Sequence, residues 1–394
     1  MEIELPVVMH TASDAPASRL FFIDHLRVAL TVLVVLHHMA VIYAANSPFY
    51  YVEPPYQDMP AVVILIFFEL FNQAYFMGFF FLLSGYFTPG SFDRKGPRLF
   101  LRDRLLRLGI PLLVYMFVLG PIASIGIYRM PVELTKITTP FTWEQYPKLI
   151  GIGPLWFVVM LLAFDFGYAG VRVVTRNLTP RSVRDAVLPR YRAIGAFVLV
   201  LALTTYLIRI VLPLGKGVHG FPTLAYFPQY LSFFVLGVVG ARRKWLQMVP
   251  RSMGKAGFGA ALGVTLLLLP LAFSGKTNFV GRGHWQSAAY ALWDSAFAVG
   301  MCLALTTFFR RFFNQQGRLG WLLTRSAFTV YVIHIPVIVL LALALRGLQL
   351  EHLLKFGLLA LLGVPLCFAV AWLIGRTTLA AQILYPARRV VNGT

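Results

Sequence analysis

Residues 21–45 read FFIDHLRVALTVLVVLHHMAVIYAA, and this stretch decides the fold class. The hydrocarbon core of a bilayer needs roughly 20 apolar residues as helix, and this run exceeds that length with its polar residues confined to a few positions. Comparable runs recur along the chain. The candidate spans are 20–45, 61–87, 105–127, 152–173, 193–213, 227–241, 256–273, 286–309, 326–345 and 353–375. The sixth is the shortest and has Pro228 at its start. The predicted fold is all-α, a polytopic transmembrane bundle of about ten helices.

Composition agrees. The 394 residues are 58% hydrophobic and 13% charged, as expected of a chain that crosses hydrocarbon repeatedly, where charge is costly. Lys+Arg number 35 against 15 Asp+Glu. In a soluble protein that excess would point to nucleic acid. Here most of it falls in short segments between apolar runs, chiefly 94–107, 172–192, 242–255, 310–325 and 376–389. These segments lie on alternate loops, the positive-inside pattern. It predicts both termini in the cytoplasm, membrane lipids as partners and no nucleic acid. Residues 1–18 and 377–394 read as cytoplasmic tails around one membrane domain, 19–376. The first apolar run lacks a small-residue cleavage site after it, so 1–18 is not read as a signal peptide. Cys302 and Cys367 fall inside apolar runs, giving neither a disulfide framework nor a CxxC metal site.

The informative residues are polar ones within the apolar runs. Arg27 and His38 are eleven apart, hence about 20° apart around a helix and roughly 16 Å apart along it. That puts Arg27 at the inner edge and His38 near mid-bilayer, with Asp24 and Thr31 on the same face. His37 points about 100° away from His38. A lone intramembrane His often only glues helices together; two adjacent His with an Arg on the shared face favour a functional site. The second span carries Glu69, Asn72 and Gln73 on one face. Glu69 is the expected carboxylate partner of His38 or His37, with Asp165 and Asp294 as rivals. Ser84-Gly85 permits close approach of another helix. In the basic segment, Arg104 and Arg107 share a face, with Arg98 and Arg102 just before. Pro111 has no N–H for the Arg107 carbonyl, which predicts a kink. Guanidinium forks suit phosphate, although basic inner loops also serve topology and lipid headgroups. Pro336 beside His334 suggests an opened helix lining a cavity, although His334 itself reads as packing glue, and Trp156 reads as part of the interfacial belt.

These residues together resemble the acyltransferase-3 family of membrane O-acyltransferases. The similarity rests on Asp24-His25-Leu26-Arg27 followed by ten residues and His38, and on Phe80-Phe81-Leu82-Leu83-Ser84-Gly85-Tyr86. It also rests on Arg104-Leu105-Leu106-Arg107 ahead of Pro111. Leu155-Trp156-Phe157 and Tyr331-x-x-His334 are weaker landmarks, and the opening is similar to the glucan biosynthesis protein C-like branch. The resemblance implies a bacterial-type cytoplasmic (inner) membrane enzyme. It would move an acyl group, commonly acetyl, from acyl-CoA to a hydroxyl of a carbohydrate of the cell envelope or of a secreted small molecule. No fused extracytoplasmic SGNH-type domain, found in some of the family, is expected here, so a second transfer step would need a separate protein.

On that reading Arg104 and Arg107, with Arg98 and Arg102, grip the CoA phosphates. His38 takes the acceptor proton, Glu69 orients the imidazole, and Arg27 holds phosphate or the thioester oxygen. His37, adjacent, is the rival base. A covalent acyl-His is the competing chemistry. Two other classes compete. A proton-coupled exporter of a sugar or lipid-linked intermediate would use His38, Glu69 and Asp294 as a relay. A non-catalytic scaffold would leave the polar centre unexplained.

Overall fold

The computed structural model describes residues 19–54, 58–175, 187–218, 220–221 and 223–377. The expected tails, 1–18 and 377–394, lie outside the described residues apart from Thr377, as does most of the basic run 172–192. Among the described residues the chain is helical apart from turns and one isolated bridge. The helices that position the site are α1 (Phe21–Ala44), α2 (Met59–Arg104), α3 (Trp156–Val174), α4 (Tyr191–Val211), α5 (Phe227–Arg242), α6 (Arg251–Phe273), α7 (Trp285–Phe312), α8 (Arg318–Leu345) and α9 (His352–Ile374).

Local chemistry sets several of their ends. Asp58 caps α2 by accepting from the Ala61 amide at 3.3 Å, which satisfies one of the donors a helix start leaves open. Ala45 adopts a left-handed conformation (φ 49°) and its N–H bonds the Val41 carbonyl, closing α1.

Among the described residues, eight helical segments are long and apolar enough to cross a membrane, fewer than the ten expected. Two features account for the difference. The expected spans 61–87 and 105–127 lie within one helical run, Met59–Arg129, broken where Gly96 takes φ 71° and ψ 171° ahead of Pro97. The expected span 227–241 does form α5, but its 16 residues give a helix of roughly 24 Å, short of a full hydrocarbon core. The predicted kink near Pro111 is a π-helical turn, Leu105–Gly109. A second π turn, Tyr115–Leu119, precedes Pro121 in the same way. Each proline removes a donor from the helix ladder, and a wider turn takes up the freed carbonyls. Pro336, by contrast, leaves α8 continuous from Arg318 to Leu345.

Burial separates inner from outer helices. In their most apolar stretches α1 and α8 are 61% buried, whereas α4, α6 and α9 are only 22% buried and turn apolar faces outward. Short α5 is held by close backbone approach to α2. A Cβ at Gly237 would overlap the Leu82 carbonyl oxygen, and one at Gly85 would overlap that of Phe234. The small-residue reading of Ser84-Gly85 is thus realised against α5. Gly237→Val is expected to force these helices apart at a cost of about 1–3 kcal/mol. A lowered unfolding temperature of the detergent-solubilised protein checks it; an unchanged midpoint overturns the contact.

Candidate active site

α1 and α8 bring together two imidazoles 296 residues apart in sequence. His38 Nδ1 lies 2.9 Å from the Val34 carbonyl oxygen, which can only accept, so the ring hydrogen sits on Nδ1. His334 Nδ1 lies 2.7 Å from the Tyr331 carbonyl oxygen, which assigns its hydrogen in the same way. The lone pair of His334 Nε2 then faces His38 Nδ1 at 3.1 Å. One tautomer assignment therefore satisfies both rings as neutral imidazoles. It leaves Nε2 as the lone-pair nitrogen of His38.

His334 is fully buried, whereas His38 and His37 are only half-buried. Phe49, from the segment after α1, stacks on His38 with centroids 5.6 Å apart and planes 15° apart. The sequence reading of His334 as a packing residue missed this pair. His38 lies six residues before Ala44, roughly 9 Å from that end of α1.

Towards the Phe21 end of α1 opens a cavity of about 750 Å³ lined by five arginines, Arg19, Arg27, Arg104, Arg107 and Arg325. Thr31 and Ser84 line it too, and its walls include Phe80, Phe157 and Tyr331. Tyr331 is the same residue whose carbonyl accepts from His334. The cavity thus reaches within one helical turn of the imidazole pair.

Two carboxylates orient the arginines. Asp24 accepts from Arg19 Nε at 2.7 Å and Arg27 Nη2 at 2.8 Å. Fully buried Asp165 lies 3.1 Å from Arg104 Nε and accepts from Thr88 at 3.1 Å. Arg107 is more exposed and only 3.9 Å from Asp103. Five guanidinium charges against these carboxylates leave the cavity cationic. Arg27, Arg104 and Arg107 are brought together as the sequence predicts. Arg98 and Arg102 are exposed and absent from its wall. Arg19 and Arg325 were missed, since an arginine beside an apolar run reads as topology alone.

The polar face of α2 meets α1 farther along. Glu69 accepts from Asn46 at 2.9 Å, and the expected bond from Glu69 to His38 or His37 is not made. Its Oε1, Asn72 Nδ2 and His37 Nδ1 are buried without a hydrogen-bond partner among the described residues. His37 packs on Phe76 with centroids 5.1 Å apart, so these spare polar atoms follow the α1–α2 seam. Gln73 donates to Tyr230 at 3.2 Å, and half-buried Trp156 stacks on Tyr230 at 5.4 Å. Asp294 is taken by Arg209 at 2.5 Å.

A helical membrane bundle with a cationic cavity leading towards paired imidazoles defines the class: an integral membrane protein. A family model for an acyltransferase domain, acyltransferase 3, matches residues 20–376, and the chain belongs to this acyltransferase family. Among its relatives is the glucans biosynthesis protein C of Salmonella schwarzengrund (strain CVM19633). That protein is 24% identical over 372 residues, covering 90% of this chain and 92% of the relative. The glucans biosynthesis protein C of Salmonella paratyphi B (strain ATCC BAA-1250 / SPB7) is 24% identical over 368 residues with the same coverage. No solved structure matches the chain. The apolar helices and these relatives make it an integral inner-membrane protein of transferase type.

Proposed function

We propose that the chain is an O-acyltransferase that moves an acyl group, acetyl in the simplest case, from acyl-CoA to a hydroxyl of a carbohydrate. The observation that carries this is the arginine cavity, whose deep wall at Tyr331 adjoins the His334–His38 pair. Its cationic lining suits the CoA phosphates. The slim pantetheine arm then passes inward along Thr31, Phe80 and Phe157.

The acceptor hydroxyl attacks the thioester carbon while His38 Nε2 takes its proton. The new C–O bond forms, the C–S bond breaks, and the proton passes from His38 to the departing thiolate. While His38 is an imidazolium, its Nδ1–H points at the lone pair of His334, which fixes the ring. Arg27, Arg104 and Arg107 hold phosphate. Glu69, through its spare Oε1, accepts from an acceptor hydroxyl in the α1–α2 seam.

The distribution of basic segments favours ten crossings, with Met59–Arg129 crossing twice, α5 crossing once, and both termini cytoplasmic. The cavity then opens to cytoplasmic acyl-CoA, and His38 lies towards the outer side beneath Phe49, where the acceptor enters. A carbohydrate acceptor is supported by the glucans in the relatives' names. The exporter alternative needs Asp294 as a free relay group, and its ion pair with Arg209 counts against that role.

The test is CoA thiol release by purified protein in nanodiscs supplied with acetyl-CoA and an oligoglucose acceptor. Thiol release that depends on the acceptor is expected. Arg104→Ala is expected to raise the acyl-CoA KM roughly 10- to 100-fold, the loss of one charge-assisted hydrogen bond, with kcat changed much less. Should no acyl donor yield thiol, and a proton gradient drive sugar movement instead, the transferase reading is overturned.

A further inference from the structure

A second, smaller cavity of about 280 Å³ lies where the start of α8 meets the end of α9, with Trp321, Arg325, Trp372 and Arg376 among its lining residues. Trp321 and Arg325 also line the arginine cavity, so the two spaces share a wall. Each tryptophan carries a guanidinium over its ring. Arg325 lies 5.3 Å from the Trp321 centroid and Arg376 lies 4.0 Å from that of Trp372. Both indoles are partly exposed, so each keeps ring surface beside its guanidinium that a ligand can reach. Tryptophans near the ends of membrane helices, as these are, also anchor helices among lipid headgroups. Anchoring does not require two indoles to line one cavity, each with its own cation, beside a second cationic cavity.

We infer that this second cavity takes the adenine nucleotide end of the acyl donor, the purine stacking on the tryptophans and the 3′-phosphate meeting Arg376 and Arg325. The inference rests on the acyl-CoA reading and deepens it. Aromatic and guanidinium planes are the surfaces on which bases stack, and a cation beside the ring suits the ribose phosphate. The donor has two anionic groups separated by a ribose, and the structure offers two adjoining cationic spaces. Trp321 lies thirteen residues before His334 on α8, roughly 20 Å along the axis. That separation leaves the pantetheine arm to bridge the nucleotide and the imidazoles. The larger cavity then receives the diphosphate.

The experiment is calorimetric titration of the full-length protein in nanodiscs with CoA, dephospho-CoA and 4′-phosphopantetheine. Trp321→Ala and Trp372→Ala are expected to weaken CoA binding about 5- to 100-fold, the loss of one base stack. Affinity for 4′-phosphopantetheine should stay at the wild-type value. Trp321→Phe keeps an aromatic face and should retain most of the CoA affinity. Arg376→Ala should bring CoA down towards dephospho-CoA. If both Trp→Ala variants bind CoA like wild type, the indoles are lipid anchors and the subsite is overturned. It is equally overturned if CoA and 4′-phosphopantetheine weaken together. Wild-type protein that binds neither compound would refute the acyl-CoA reading itself, a result distinguishable from CoA binding that ignores the tryptophans.

Discussion

His38→Ala is expected to lower acyl transfer about 10²- to 10⁴-fold, the usual contribution of a positioned general base, while leaving CoA affinity unchanged. The reason lies in how the ring is held. Val34 and His334 both engage Nδ1, so the lone pair on Nε2 is the basic site, and its orientation is set by α1 and α8 together. His334→Ala keeps the Val34 bond but removes the lone pair that faces the imidazolium. A smaller loss is therefore expected, again in kcat rather than in CoA binding. Among the described residues His37 Nδ1 has no hydrogen-bond partner, and the ring packs on Phe76; His37→Ala should retain most activity. Single-turnover thiol release with each variant, alongside calorimetric CoA binding, checks all three. An inactive His37→Ala beside an active His38→Ala would move the base to the neighbouring ring.

The second large effect is on stability. Arg209 and Asp294 are 0% and 2% exposed at their side chains and pair at 2.5 Å between α4 and α7. Arg209 sits between the rings of Tyr226 and Tyr290, at 4.9 and 5.3 Å from their centroids. Its Nε and Nη1 have no hydrogen-bond partner among the described residues. Removing one member leaves an uncompensated charge in a low-dielectric interior, a loss of about 3–5 kcal/mol. Arg209→Met and Asp294→Leu are each expected to lower the unfolding midpoint sharply. The double variant removes both charges and should regain most of the loss, because apolar replacement of a buried pair is often near neutral. Thermal unfolding in detergent followed by the thiol-release assay separates structure from relay. A double variant that is stable but has lost transfer would show that the pair takes part in the chemistry.

Much of this could be read from the chain before folding. The apolar runs and their basic separators indicated a helical membrane bundle. Helical periodicity placed Arg27, Thr31 and His38 along one face of α1. Arg27 and Thr31 do line the cavity, beside Arg104 and Arg107 from the predicted pair. Within a single helix, spacing and angle are linked by the 3.6-residue turn, so a shared face is legible from the sequence. Span count was less so. The two runs follow one another in a single helical stretch, Met59–Arg129, kinked at Gly96, and α5 is only 16 residues long.

Contacts between helices were decided by tertiary structure alone. Sequence proximity favoured Glu69 as the partner of His38, yet the ring meets His334 on α8, and Glu69 turns to Asn46. Arg104 is fixed by Asp165 from α3, and Trp321 and Trp372 share a cavity across α8 and α9. The rotation and register of packed helices are set by ridge-and-groove fit along their whole length, and no local spacing encodes them. The sequence by itself determined the membrane class, the cationic end and the polar face of α1. The packed bundle decided which imidazole faces His38 and which indoles stand beside the arginines.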